Sequence, residues 1–310
     1  MPVLYRTKLG KAYWGDSLDV MENISAGTVD LVLTSPPFAL RRSKSYGNVP
    51  APEYVEWFLP FAKEVFRILK PRGSFVFDIG GSWNRGEPTR NLYHFDLLLK
   101  LCDDKIGFNL AQEFYWYNPA KIPNPAQWVT VKRIRVKDAV TPIWWLSKSK
   151  FPKASNRRVL KPYSKSMEDL LKSGYNEGRR PSGHVVSSNW DKRYRGAIPS
   201  NLIIASNTRS NDPYLEGCKA NGLEINPARF VVAIPEFFIK FLTLKRNVVL
   251  DPFCGSNVVG AVAERLGRKW LSVDINLDFV LGSAFRFGKL GPLTFRRYSG
   301  LLPIKTGANE

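Results

Sequence analysis

Two short stretches of this chain carry residue types suited to gripping and activating a small molecule. Thr34-Ser35-Pro36-Pro37-Phe38 directly follows the apolar run Leu31-Val32-Leu33. A buried strand would therefore end in a hydroxyl, a rigid backbone carbonyl, a second proline without an N–H, and an aromatic face. That set suits a flat ring bearing an amino group, although Ser-Pro-Pro also ends strands as a stiff loop with no chemical task. The second stretch, residues 247–257, reads N-V-V-L-D-P-F-C-G-S-N. It predicts a strand ending at Asp251, a tight turn through Pro252, Phe253, Cys254 and Gly255, and a helix starting near Ser256 and Asn257. Backbone N–H groups at such a helix start are a natural place for a small cofactor with an anionic end. Asp274 closes the next strand, at the spacing a ribose-gripping carboxylate needs in a βαβ unit. A strand–turn–helix with an incidental glycine would look the same. The turn is neither G-x-G-x-x-G nor G-x-x-x-x-G-K-[ST], which argues against a nicotinamide dinucleotide and against nucleoside triphosphate hydrolysis.

The elements that must position these stretches follow from periodicity. Strands are predicted over 11–15, 29–33, 74–79, 108–117, 139–146, 247–250 and 269–273. Helices are predicted over 17–25, 52–69, 92–102, 235–244, 258–266 and 277–287. Lys70-Pro71-Arg72-Gly73 is a clear helix-ending signal. Strands alternating with helices point to an α/β fold with a doubly wound, mostly parallel sheet. The composition shifts over residues 148–225, which hold 15 Lys/Arg against 7 Asp/Glu, with many Ser, Asn, Gly and Pro and little periodicity. Three regions result: 1–147, an irregular basic insert or small module over 148–225, and 226–310.

Bulk numbers narrow the partners. The 310 residues hold 46 Lys+Arg against 27 Asp+Glu, a net charge of +19. Such a balance favours a polyanionic partner, nucleic acid first. A membrane surface is the competing partner, but no basic amphipathic helix or lipidation signal supports it. The longest apolar stretch, 230–242, is interrupted by Pro235, Glu236 and Lys240. Cys102, Cys218 and Cys254 are too widely spaced for a zinc cluster or a disulfide framework, and His94 and His184 cannot make a multi-histidine metal site. Residues 1–11 lack an apolar core of signal-peptide length. The expectation is a reduced cytoplasmic protein, associated with the nucleoid, without metal or membrane.

Asp-Pro-Phe-Cys-Gly-Ser resembles the S-adenosylmethionine loop, D-P-F-x-G-S-G, of DNA amino-methyltransferases, and Ser-Pro-Pro-Phe resembles their catalytic [DNS]-P-P-[YF] motif. The order of the motifs is that of the circularly permuted β class, whose Rossmann-like fold carries a target-recognition insert between them. G-D-S-L at 15–18, T-S-P-P-F-A-L at 34–40 and R-P-S-G-H at 180–184 are similar to cytosine-N4-specific type II modification enzymes. The likeness spans roughly residues 10–290. One departure is Asn257 in place of the loop's last glycine; Asn tolerates left-handed backbone angles.

The resemblance implies transfer of a methyl group from S-adenosylmethionine to the exocyclic amine of a cytosine flipped out of double-stranded DNA. Ser35 Oγ and the Pro36 carbonyl would accept from the amine, Pro37 would stiffen the turn and Phe38 would stack on the base. Asp78, at the end of the strand from Ser74, is the candidate final proton acceptor; a loop-stitching or helix-capping carboxylate is the plainer reading. Phe253 to Asn257, following Asp251 and Pro252, would hold the methionyl part, and Asp274 the ribose. Asp16 would lie near the adenine or ribose, and also suits an N-cap for the helix from Ser17. Asn226 opens the stretch that matches the family's further cofactor segment. Arg41, Arg42 and Lys44 would meet DNA phosphates, while Arg179, Arg180, Ser182 and His184 are the candidate base readers. Adenine-N6 methylation is the alternative within the class, and a silent DNA-binding protein the alternative outside it. Cytosine-C5 methylation needs a Pro-Cys nucleophile, and the chain has none. A monomer is expected, with a companion restriction endonuclease possible.

Overall fold

The computed structural model describes residues 3–39, 49–174, 178–186, 193–208 and 212–288. Its strands are β1 (Val3–Arg6), β2 (Gly10–Trp14), β3 (Val29–Thr34), β4 (Leu69–Asp78), β5 (Asn109–Tyr117), β6 (Val140–Ser147), β7 (Gly178–Arg179), β8 (Val185–Val186), β9 (Leu202–Ile204), β10 (Val248–Asp251) and β11 (Lys269–Asp274). Its α-helices are α1 (Ser17–Glu22), α2 (Ala51–Ile68), α3 (Tyr93–Leu101), α4 (Lys165–Ser173), α5 (Pro213–Ala220), α6 (Ala233–Leu242), α7 (Val258–Arg265) and α8 (Leu277–Ser283). All strands except the β7–β8 hairpin join one sheet, in the order β1-β2-β11-β10-β3-β4-β6-β5-β9.

The five strands from β2 to β4 in that order run parallel, whereas β1, and β6 against both β4 and β5, are antiparallel. Parallel strands must be buried on both faces, and these are. Leu31, Leu33 and Val249 pack with α5 to α8 on one face. Val29, Val32, Leu250 and Val273 pack with α1 to α3 on the other. The chain leaves β3 through α2 toward β4, and leaves β10 through α7 toward β11, in the opposite direction along the sheet. The neighbours β3 and β10 thus form the topological switch point, where a crevice opens beyond the strands' carboxyl ends.

Several elements depart from the sequence reading. Leu69 to Gly73 is extended: α2 stops at Ile68 as the Pro-Gly signal requires, but Leu69 already pairs with Val29, and β4 starts there instead of at Ser74. The helix-ending signal fixes where α2 ends; a strand that opens on buried Leu69 and then runs through half-buried Lys70 and exposed Pro71 and Arg72 has no periodicity to reveal it. Within 148–225, β9 adds to the sheet edge beside β5, and α5 buries Tyr214, Leu215 and Cys218 in the main core.

Candidate active site

The turn after β3 and the turn after β10 share one cavity of about 430 Å³. Ser35, Pro36, Pro37 and Phe38 line it from one strand and Asp251 to Ser256 from the other, with Asp16, Asn226 and Asp274 completing the wall. Thr34 Oγ1 donates to Asp251 Oδ1 at 2.6 Å, so the two turns are tied at their bases. Neighbouring groups hold the Ser-Pro-Pro-Phe turn in place. Tyr54 of α2 donates to the Pro37 carbonyl at 2.7 Å. Tyr93 of α3 accepts from Ala39 N at 3.4 Å and donates to the Gly80 carbonyl. The Phe38 ring lies against Gly80, where a Cβ would come within 2.8 Å of Cε2. Residue 80 has no side chain because the ring occupies that space.

The turn after β10 is built on two left-handed residues. Gly255 has φ 48°, and a Cβ there would lie 2.0 Å from Asn226 Nδ2. Asn257 has φ 51° and ψ 44°, the left-handed backbone that its substitution for glycine required. Its side chain is fully buried behind the loop and does not line the cavity. There Oδ1 accepts from Gly260 N at 3.0 Å and from Ser272 Oγ at 2.7 Å, while Nδ2 donates to Tyr5 Oη at 2.9 Å. Asn257 therefore caps α7 and anchors the loop from beneath, which glycine would not do. Asp274 accepts from Gly255 N at 2.7 Å and Asn276 N at 2.9 Å. Asp16 accepts from Leu18 N at 2.8 Å, so it caps α1 and lines the cavity at once.

The cavity also holds residues that the sequence reading did not single out. Trp57 and Phe61, one turn apart on α2, line it and pack on Phe253, with ring centroids 6.0 Å and 5.0 Å away. Nothing local in α2 separates a core aromatic from one at the rim. Ser17, Ile275 and Phe279 contribute further wall.

Three carboxyls stand at the carboxyl ends of β4, β10 and β11. Burial pushes Asp251 up to about 7, against the opposing hydrogen bonds from Thr34 and Phe253 N. Burial likewise raises Asp274 to about 6. Asp78 is raised to about 7 by burial, opposed by a hydrogen bond from Ser35 and by the charge of Lys121. Asp78 Oδ1 is buried with no hydrogen-bond partner among the described residues. Ser35 thus stands between the cavity and Asp78. Cys254 is buried and its thiol is pushed well above the ordinary range, so it has no nucleophilic character.

Arg41, Arg42 and Lys44 lie outside the described residues. Arg179, Arg180, Ser182 and His184 sit together on the β7–β8 hairpin, closed by Arg180 N donating to the His184 carbonyl at 2.8 Å. None of the four lines the cavity. Among the described residues there is no cluster of three or more metal-ligating side chains, and no helix is long and apolar enough to cross a membrane.

Comparison with known proteins agrees with this geometry. A family model described as DNA methylase matches residues 29–284. Type II methyltransferase M.PvuII of Proteus hauseri is 48% identical over 91% of this chain and 85% of its own length. M.BamHI of Bacillus amyloliquefaciens is 26% identical over 88% of this chain and 56% of its own length. Among solved structures, the PvuII DNA methyltransferase (cytosine-N4-specific) superposes with a TM-score of 0.76 at 42% identity, covering 96% of this chain and 93% of that one. An M1.HpyAVI–SAM complex, at 16% identity and a TM-score of 0.54, covers 90% of this chain and 99% of that one and supports the fold alone.

Proposed function

The chain belongs to the DNA methylase family, and from that premise we propose that it transfers a methyl group from S-adenosylmethionine to the N4 amine of a cytosine swung out of duplex DNA. The observation that carries the proposal is the single cavity joining the Ser35–Phe38 turn to the Asp251–Ser256 turn, tied by Thr34 and Asp251. The choice of base rests on Ser35 and on the similarity to the cytosine-N4-specific PvuII DNA methyltransferase.

The residues present fit the cofactor. A cavity of about 430 Å³ suits a small-molecule ligand. Asp274 spends one lone pair per oxygen on Gly255 N and Asn276 N and keeps others for ribose hydroxyls. Asp274, raised only to about 6, stays mostly ionised at neutral pH and gives the cavity a negative group for a cationic ligand, and Phe253, Trp57 and Phe61 give it an apolar wall. When bound, S-adenosylmethionine supplies a methyl group made electrophilic by its positive sulfur.

The protein's own work is orientation and proton handling. A cytosine amine is a poor nucleophile because its lone pair is delocalised into the ring. Ser35 Oγ and the Pro36 carbonyl accept from the amine and draw density back to nitrogen. Pro36 and Pro37 fix the turn, and Tyr54 holds its carbonyl, so the acceptors are set before the base arrives. Alignment of this kind supplies up to about 7–11 kcal/mol of a barrier. After transfer the nitrogen sheds a proton through Ser35 to Asp78, whose raised pKa near 7 suits that role.

Around this centre, residues 1–147 and 226–310 serve as the catalytic and cofactor-binding halves, and 148–225 as the target-recognition region. Arg41, Arg42 and Lys44 and the β7–β8 hairpin contact DNA. The enzyme works as a cytoplasmic monomer, and a companion endonuclease, where present, would act on the same site. The deciding experiment labels unmethylated DNA with methyl-tritiated S-adenosylmethionine and digests it to nucleosides. Tritiated N4-methylcytosine is the expected product. Label in N6-methyladenine would overturn the choice of base, and no label at all would leave a DNA-binding protein without this activity.

A further inference from the structure

The connection between β5 and β6, residues 118–139, carries Lys121, Lys132, Arg133, Arg135 and Lys137 against the single acid Asp138. It springs from the rim that holds the proposed catalytic turn. Tyr117 pairs with Val140, and three residues further along β6 Ile143 pairs with Asp78. The loop is firmly built at its base. Trp128 is buried at 6% exposure, and its carbonyl accepts from Ile134 N at 3.0 Å. The Arg135 guanidinium stacks 3.7 Å from the Trp83 ring centre, and Asp138 pairs with Arg90 at 2.7 Å. Lys137 Nζ donates inward to the Lys121 carbonyl at 3.3 Å.

What remains at the tip faces solvent. Val131 and Ile134 are 75% and 60% exposed, and between them stand Lys132 and Arg133, both exposed. Arg133 is held at φ 54°, a left-handed conformation uncommon for a side-chain-bearing residue and found disproportionately at functional sites. An apolar pair enclosing two cations on a braced loop is poorly suited to water alone. It is well suited to an opened base step: apolar side chains replace the lost stacking while cations neutralise the flanking phosphates. The net charge of +19 selects the same partner.

The geometry points to the tip of loop 118–139 as a second DNA-contacting element, with Lys132 and Arg133 on backbone phosphates and Val131 and Ile134 against the step from which the target base is withdrawn. This rests on the DNA-methylating reading above, but its test is separable. In a Lys132→Ala/Arg133→Ala protein, the plot of log affinity against log salt for a fluorescein-labelled duplex becomes shallower by about 2, and affinity at low salt falls about tenfold or more. In a Val131→Ser/Ile134→Ser protein, binding is retained. The fluorescence rise of 2-aminopurine, placed next to the target cytosine, falls severalfold, and methyl transfer falls with it. Thermal melting and S-adenosylmethionine affinity unchanged from the parent show that both variants are folded, since neither touches the cavity. An unchanged salt slope together with an unchanged fluorescence rise, in a preparation whose parent methylates DNA, overturns the inference alone. If the parent transfers no methyl group to DNA, the functional reading fails, and the salt slope still decides whether this loop meets phosphates.

Discussion

At the scale of single residues, Ser35 has a hydroxyl on the cavity wall and Asp78 behind it. In the proposed mechanism, replacing Ser35 with Ala removes one acceptor for the amine and the path to the carboxyl. Methyl transfer by the S35A protein is expected to fall by about 10²–10⁴-fold. Retention of duplex DNA in a gel-shift assay should persist, because the loss lies in chemistry and not in binding. Asp78 makes a further prediction through pH. It must be ionised to accept a proton, so kcat should climb as pH rises and level off above about 7. Asp78→Asn should remove that limb of the profile. Stability runs the other way. Asp78, Asp251 and Asp274 all have raised values in the folded chain, near 7, 7 and 6. Between about pH 4 and these values the folded chain keeps protons that the unfolded chain releases. Their contribution to stability therefore falls as pH rises through that window and is flat above it. Calorimetric melting of Asp78→Asn should show a smaller fall in Tm between pH 5 and pH 8 than the parent. An equal or steeper fall would mean that Asp78 ionises normally.

At the scale of elements, the turn after β10 depends on contacts from several parts of the chain. Gly255 fits only because it has no Cβ, since Asn226 fills that space and the backbone is left-handed. Gly255→Ala should weaken S-adenosylmethionine binding at least tenfold while leaving DNA affinity intact, as isothermal titration of each ligand would reveal. Ser256 is gripped from the other side. Arg286, just after α8, donates through Nε to the Ser256 carbonyl, and through its terminal nitrogens to Ser256 Oγ at 3.3 Å and Asp212 at 2.8 Å. Asp212 caps α5, an element of the basic 148–225 stretch, so this stretch braces the cavity as well as carrying the hairpin. Such long-range support was not legible in the sequence. The central elements were, because β3, β10, α2 and α7 have strong periods and sharp end signals. The edge strands β1 and β9, of four and three residues, are too short to show a period. Trp57 and Phe61 carry no local signal that tells a cavity wall from the core, and Arg286 none that tells it from an ordinary surface cation. A side chain's partners on distant parts of the chain leave no trace in its local pattern.

For the whole molecule, the charge balance and the cavity impose different demands. The cavity is lined by acids and aromatics, whereas the chain carries 19 more cations than anions, several of them on the β7–β8 hairpin and the 118–139 loop. A duplex held by phosphate contacts binds through counterion release, so its affinity must fall steeply with salt. The acid-lined cavity takes a small ligand and has no such dependence. Raising salt from 50 to 200 mM should therefore weaken duplex affinity by about 10³–10⁵-fold if six to ten phosphates are neutralised. Over the same range S-adenosylmethionine affinity should change little. The rate at saturating DNA should also hold, since the reacting groups sit in the cavity and not at the phosphate contacts. Removing both hairpin arginines, as Arg179→Ala/Arg180→Ala, separates two possible roles for them. Phosphate contacts would flatten the salt slope by about 2 with equal loss on all sequences, whereas guanine contacts would leave the slope nearly intact and cost discrimination between cognate and altered sites, about 1–3 kcal/mol for each base read. Fluorescence anisotropy on one cognate and one altered duplex across a salt series measures both. A slope flattened by about 2 with discrimination preserved would place base reading on some other element, and the hairpin would then serve only to hold the duplex.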